Sequence, residues 1–241
     1  MVAQARIAPE HGEIPAGQQV LAGLDLHGKV VVADALHTQQ ALSEQIVLAG
    51  GAYVWTVKDN QPLLRETLEL LFTNPPPTRA GWDFQTARTL NKRHGRIEER
   101  ILTACSLLPG ELQWPYARQG FRLERTFSFL RKGEVVRVEH FVHYGLTSQT
   151  RSKADAQRLL SLKRQYWQIE TGLHYRRDVT FHEDATRMSH PHATRNLATI
   201  HNILLSLFAH LGLCNAAQAR RYFDANPAAA FSLLIAAHPR L

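Results

Sequence analysis

Two short runs that lack polar alternation constrain the fold most. Residues 29–35 read KVVVADA and residues 52–57 read AYVWTV. Unbroken β-branched and aromatic residues suit strands buried on both faces, as in a parallel sheet. Between them, residues 39–48 have helical composition, with Thr38 placed to cap the start and Gly50-Gly51 to end it. Strand, helix and strand in under thirty residues predict a βαβ unit with a right-handed crossover. Asp34 closes the first run, at the strand end where open α/β sheets place their ligands. By itself it reads equally as a turn residue.

The pattern changes after this unit. Following Lys58, Asp59 and Asn60, a helix is expected over 62–72, with Pro62 in its first turn. Pro75, Pro76 and Pro77 make a stiff exit. Strand-like runs then cover 83–90, 96–105, 122–131 and 134–145, the last two joined by a hairpin turn at Lys132-Gly133. This β-rich segment is basic. At the front, a short strand over 2–8 and a short helix over 18–24 are expected. At the back, the pattern predicts a helix over 194–211, apolar at Leu197, Ile200, Ile203, Leu204, Leu207 and Phe208. A helical tail over 216–237 breaks at Asn226-Pro227.

Residues 161–184 read SLKRQYWQIETGLHYRRDVTFHED. Leu159, Leu162, Tyr166, Ile169 and Leu173 recur at helical spacing and predict one buried face, on a helix starting at Ser152 with Asp155 three residues on. The next stripe holds Lys163, Trp167, Glu170, His174 and Arg177. A carboxylate at the edge of a core, with an aromatic and basic groups around it, suits a metal ligand whose neighbours hold phosphates. The same spacing also describes an ordinary Glu170–His174 pair worth about 0.3–0.5 kcal/mol.

Charge narrows the partner. Twenty-eight Lys plus Arg face 21 Asp plus Glu, a net charge of +7. Such a surplus favours a polyanion, nucleic acid before an acidic membrane surface. Cys105 and Cys214 form neither a disulfide framework nor a metal-knuckle spacing, which fits a reducing cytoplasm. The first residues lack the apolar run of a signal peptide, and the longest apolar stretch, 203–213, is broken by His210, so no membrane helix is expected. The reading is a soluble cytoplasmic protein. Trp82, Trp114 and Tyr116 could stack on a base or fill a small core. His182, His190 and His192 read as solvated loop residues, not a metal site.

The order of these features resembles the catalytic domain of bacterial insertion-sequence DDE transposases, in the group whose core is split by a β insertion before the last acid. VVVADALHTQ resembles the strand of the family's second Asp, and GAYVWTVKDNQPLL the strand and helix that follow. HGRIEER resembles a basic strand of the insertion, and YWQIETGLHYRRDVTFHEDATR the segment around the final Glu. The resemblance covers nearly the whole chain. It implies an α/β fold: an incomplete ribonuclease-H-like core with a β-rich insertion and a helical C-terminal region. The core would be split into 1–73 and 151–241 around an insertion at 74–150.

The resemblance further implies that Asp34 and Glu170 are catalytic, as the second and third metal-binding acids. The cofactor would be two Mg²⁺ (or Mn²⁺) ions about 4 Å apart, held by acids from separate elements. The family's signature around the Glu runs Tyr, two residues, Arg, three residues, Glu, six residues, Lys. Lys163, Tyr166, Glu170 and Arg177 stand at those places, so the Glu and the final basic position match and the other two do not. DNA contacts are expected at Lys163, Tyr166, His174 and Arg177, with Lys92, Arg93 and Arg96 in the insertion. Double-stranded DNA at the element ends is the expected partner, with a homodimer on that DNA and no membrane. Only 33 residues precede Asp34, and Asp25 is the only Asp among them. The expectation is therefore a domain truncated before its first acid. A DNA-binding remnant without catalysis is the competing reading, and a nuclease of the same core with another substrate is a third.

Overall fold

The computed structural model describes residues 12–77, 81–93, 95–183, 185–188, 190–213 and 215–235, and only the backbone of residues 168, 170, 171, 191 and 234. The strand expected over 2–8 lies outside the described residues. The described chain divides into two compact units, one ending at Tyr166 and the other beginning at Trp167.

The first unit is built on one six-stranded sheet. Its strands are β1 (Val30–Val32), β2 (Ala52–Val57), β3 (Gln85–Arg93), β4 (Arg96–Cys105), β5 (Gln119–Arg131) and β6 (Glu134–Thr147), in the spatial order β1-β2-β6-β5-β4-β3. β1 and β2 are parallel, with Val31 opposite Tyr53, as the two apolar runs predict. β2 then pairs antiparallel with β6, placing Thr56 opposite Gly145. The four strands of the β-rich segment thus continue the sheet that β1 and β2 begin. The β5–β6 hairpin turns at Lys132 (φ 52) and Gly133 (φ 90), both left-handed as a type I′ turn requires.

Both faces of β2 are buried, which explains its unbroken apolar sequence. Tyr53, Trp55 and Val57 pack with Leu42 and Ile46 of α2 (Gln40–Leu48) and Leu68 of α3 (Pro62–Thr73). Val54, on the other face, packs with Phe121, Leu102, Leu159 and Leu160, the last two from α4 (Ala156–Ile169). Tyr53 and Trp55 stack at 5.3 Å between ring centres. The Trp55 and Trp114 indole N–H groups both donate to the Ser43 hydroxyl oxygen, at 2.8 and 3.1 Å. Trp114 is therefore a core residue.

Four local expectations are corrected. Thr38 does not cap α2: its hydroxyl donates to the Thr56 carbonyl 2.8 Å away, tying the β1 exit to the end of β2. The strand expected over 29–35 stops at Val32, because Asp34 instead caps a single 3₁₀ turn, Ala35–His37. α4 begins at Ala156 and not Ser152, with the Asp155 carboxylate accepting the Arg158 N–H at 2.7 Å. The helix at the front is α1 (Glu13–Ala22), displaced from the expected 18–24.

The second unit is helical. After Ile169 the chain continues as two π-helical segments, Glu170–His174 and Arg176–Thr180. α5 (Pro191–His210), α6 (Ala216–Ala225) and α7 (Pro227–Ile235) follow. Leu205, Phe208, Ala216 and Ala219 form its core, with Leu173, Phe181 and Phe223 against it. The expected buried faces are partly wrong: Ile169 is 43% exposed, and Ile200 and Ile203 are 53% and 60% exposed. The buried side of α5 carries His201 and Asn202 beside Leu205 and Phe208, so apolar spacing alone does not choose its inner face. No described helix is long and apolar enough to cross a membrane.

Gly145 is the tightest point of the sheet. A Cβ there would overlap the Trp55 carbonyl oxygen and the Phe121 ring, neither of which can move without breaking the ladder. Gly145→Ala should therefore destabilise the first unit by about 3 kcal/mol or more. Urea unfolding followed by tryptophan fluorescence measures it, and an unchanged midpoint would contradict this packing.

Candidate active site

The C-terminal ends of β1 and β2 carry a polar cluster on an apolar frame. Asp34 is exposed two residues beyond β1, and one carboxylate oxygen accepts the His37 N–H at 3.4 Å. The Asn60 amide donates to the Ala35 carbonyl at 2.6 Å, and the Gln61 amide to the Thr38 carbonyl at 3.1 Å. With the Thr38–Thr56 bond, these contacts pin the 3₁₀ turn to the β2 exit, so Asp34 stands on a braced backbone.

Lys163 reaches this end from α4. It is 5% exposed, its ammonium donates to the Thr56 hydroxyl, and it lies 5.1 Å from the centre of the Tyr166 ring. Burial depresses its pKa to about 8; repulsion from Lys58 adds to this and attraction to Asp34 opposes it. His143 on β6 is held below its ordinary value by burial and then by Arg125, Lys58 and Lys163. Asp34 thus lies within electrostatic reach of the buried Lys163 ammonium, which Lys58 also approaches, at the mouth of the parallel pair. Such a setting attracts anions while leaving one hard oxygen donor, Asp34, open to a divalent cation.

The structure brings Asp34, Lys163 and Tyr166 together. Lys92, Arg93 and Arg96 gather elsewhere, at the turn of the β3–β4 hairpin on the opposite edge of the sheet from β1. Arg96 lies 5.3 Å from the centre of the Phe127 ring. Glu170 opens the first π-helical segment, and its side chain lies outside the described residues. His174 is exposed in that segment. Arg177 is paired: its guanidinium donates to both carboxylate oxygens of Glu183, one at 2.8 Å, and His201 Nδ1 lies 2.9 Å from the same carboxylate. Among the described residues no three His, Cys, Asp or Glu side chains gather to hold a metal ion. Sequence reasoning missed Lys58, Thr56, Asn60 and His143. A signal existed for the first three, since polar residues end the second parallel strand where ligands are placed.

With this arrangement in view, comparison with known proteins gives the family: the chain belongs to the transposase DDE domain family, whose profile matches residues 3–207. It is similar to "H repeat-associated putative transposase YhhI" of Escherichia coli K12, 24% identical over 213 residues, 87% of this chain and 55% of that protein. "Putative protein YbfL" of the same strain has the same identity and coverage. "Putative transposase YncI" of Escherichia coli O157:H7 is 26% identical over 209 residues, 86% of this chain and 52% of that protein. The chain spans about half the length of these curated relatives.

Two titrations probe the charges. Between about pH 8 and its ordinary 10.5, the unfolded chain keeps a proton on Lys163 that the folded chain sheds. Stability from this group therefore rises with pH across that window and is lowest below it. The unfolding free energy of wild type minus that of Lys163→Met should climb by on the order of 3 kcal/mol between those limits. A flat difference would mean that the lysine is not desolvated.

Glu183 is held near 2 by the Arg177 hydrogen bonds, against the effect of burial and with help from His201. Its stabilisation is complete above the ordinary value of 4.5 and is lost as pH falls toward 2. Glu183→Gln should flatten the acid limb of unfolding in the helical unit, read by circular dichroism. An unaltered acid limb would count against the Arg177–Glu183–His201 network.

Proposed function

We propose that this chain is a transposase catalytic domain that binds double-stranded DNA. With divalent metal it would cut and join strands at the ends of an insertion sequence. The core is read as ribonuclease-H-like, interrupted over 74–150. The observation that carries the proposal is the exposed Asp34 carboxylate at the mouth of the parallel strand pair, within electrostatic reach of the buried Lys163, which Lys58 also approaches. A DNA phosphate entering that mouth meets cations, and a metal meets a carboxylate.

Asp34 and Glu170 are assigned as the residues that would hold Mg²⁺ or Mn²⁺, which when bound supplies charge neutralisation and activation of an attacking oxygen. Lys163 holds the Thr56 hydroxyl and the Tyr166 ring in register and adds fixed positive charge beside the phosphate path. Lys92, Arg93 and Arg96, at the hairpin turn, and His174 and Arg177 are assigned to the DNA backbone. Arg177 serves there only to the extent that it leaves Glu183. The net charge of +7 supports a polyanionic partner. A homodimer on the DNA and a cytoplasmic location complete the reading.

The full chain, given DNA bearing terminal inverted repeats and Mg²⁺ or Mn²⁺, should nick or join strands, and Asp34→Ala and Glu170→Ala should each bring this to background. Cleavage retained in both variants would remove the metal assignments. Salt-sensitive DNA binding without cleavage, indifferent to both substitutions and to metal, would establish instead a DNA-binding remnant that has lost catalysis. Cleavage with no preference for the repeats would indicate a nuclease of the same core.

A further inference from the structure

At the opposite end of the sheet, the segments leading into β1 and β2 and out of β6 enclose a cavity of about 290 Å³. Lys29, Arg118 and Lys153 line it, and no acidic side chain does. None of the three cations has an ion-pair partner among the described residues. The adjoining cavity, which shares Arg118, differs: it holds Asp155, and its Arg151 lies 3.4 Å from Asp83. The unbalanced charge belongs to the smaller cavity.

Two more residues line it. Gln149 lines the cavity, and its Oε1 is buried without a hydrogen-bond partner. A buried acceptor left unmade is costly, so it invites an N–H or O–H from a ligand. Tyr116 lines another wall, 45% exposed, with its backbone left-handed at φ 58. A tyrosine in that region persists only where its surroundings fix it. Here they do. Trp114 is anchored in the core, the Tyr53 hydroxyl donates to the Pro115 carbonyl at 2.6 Å, and the Arg118 N–H donates to the Thr147 carbonyl at 2.8 Å. The ring is presented on a braced backbone, so stacking on it loses little conformational entropy.

Size and chemistry together select the occupant. The volume matches the lower end of small-ligand sites, roughly 300 Å³, and cannot admit a duplex. Cations suit a phosphate, an exposed phenol ring suits the face of a base, and a lone acceptor suits a base N–H or sugar hydroxyl. We propose that this cavity binds a single nucleotide, its phosphate on Lys29, Arg118 and Lys153, its base on Tyr116, and one donor on Gln149 Oε1. A free nucleotide and the terminal nucleotide of a single strand share this chemistry. The site is distinct from the Asp34 end and stands whether or not cleavage occurs there.

Calorimetric titration of the full chain tests it, using deoxyadenosine monophosphate, inorganic phosphate and a short 5′-phosphorylated single strand. The mononucleotide should bind more tightly than phosphate. Arg118→Gln should weaken it by about tenfold, Tyr116→Leu should reduce it to the affinity of phosphate, and Asp34→Ala should leave it unchanged. A strand that binds more tightly than the mononucleotide, and still loses affinity in Arg118→Gln, assigns the source as a strand terminus; equal affinities assign a free nucleotide. Equal affinity for phosphate and mononucleotide in the wild type, or mononucleotide binding indifferent to both Arg118→Gln and Lys153→Gln, would overturn the proposal. Unaltered circular dichroism of each variant excludes misfolding as the cause of a loss.

Discussion

The position of every charge at the Asp34 end depends on β2 being hydrogen-bonded on both edges and buried on both faces. Its parallel edge fixes where β1 ends, and so where Asp34 emerges. Its antiparallel edge fixes Gly145 against Thr56, which lets Phe121 and the Trp55 carbonyl close over a position without a side chain. Thr56 then serves two partners: its carbonyl accepts from Thr38 and its hydroxyl from Lys163. A shift of register by one residue would turn the Thr56 side chain to the other face and separate Lys163 from the β1 exit. The site is thus a consequence of strand pairing rather than of loop geometry.

Lys163 shows how a buried cation can be tolerated. Its head group has a hydroxyl acceptor, an aromatic face and a nearby carboxylate, yet among the described residues it forms no ion pair within salt-bridge distance. A hydroxyl compensates an ammonium only in part, and the depressed pKa measures what is left over. The same incomplete compensation gives the charge an unspent field directed at the strand ends, the setting in which an added anion would gain most. The Arg177–Glu183–His201 cluster is the contrasting case. There a carboxylate takes two guanidinium bonds and an imidazole, and the Phe181 ring stacks on His201 at 4.6 Å between centres. Its charges are spent on one another, which makes it a staple of the helical unit before anything else.

How much of this could be read from the sequence follows from the range of each signal. β2 and β4 have the bounds expected from their composition, and the Lys132-Gly133 turn stands where a hairpin dipeptide predicts, because these signals are local. Thr38 was misjudged for a physical reason. A capping residue competes with any carbonyl or N–H the fold brings near, and Thr56 is eighteen residues from Thr38. The α4 pattern correctly placed Leu159 and Leu162 in the core. It gave no sign that Lys163 lies in it too, since burial of a lysine depends on Thr56 and Tyr166 lying beside it. For Asp34 the strand end was legible; the cations near it were not, because they arrive from α4 and the β2 exit.

The basic surplus illustrates the same limit at the scale of the whole chain. A count of 28 against 21 says that a polyanion is favoured but not where it binds. Ion pairing in the structure performs the subtraction. Arg100 and Arg125 share Glu98, Arg88 takes Glu99, Arg122 takes Glu124, and Arg177 takes Glu183. All but Arg177 lie on strands, where the acid is either a cross-strand neighbour (Arg88–Glu99, Arg125–Glu98) or stands two residues away on the same strand (Arg100–Glu98, Arg122–Glu124). Among the described residues, cations without a paired acid include several at strand ends and turns: Lys58 after β2, Lys29 before β1, Lys92 and Arg93 at one hairpin and Lys132 at the other. A sheet has no partners to offer at its ends, so excess charge collects there by default. The Asp34 mouth and the Tyr116 cavity share those ends, and each adds what a bare run of lysines lacks: an open carboxylate in one case, a braced ring and an orphan acceptor in the other.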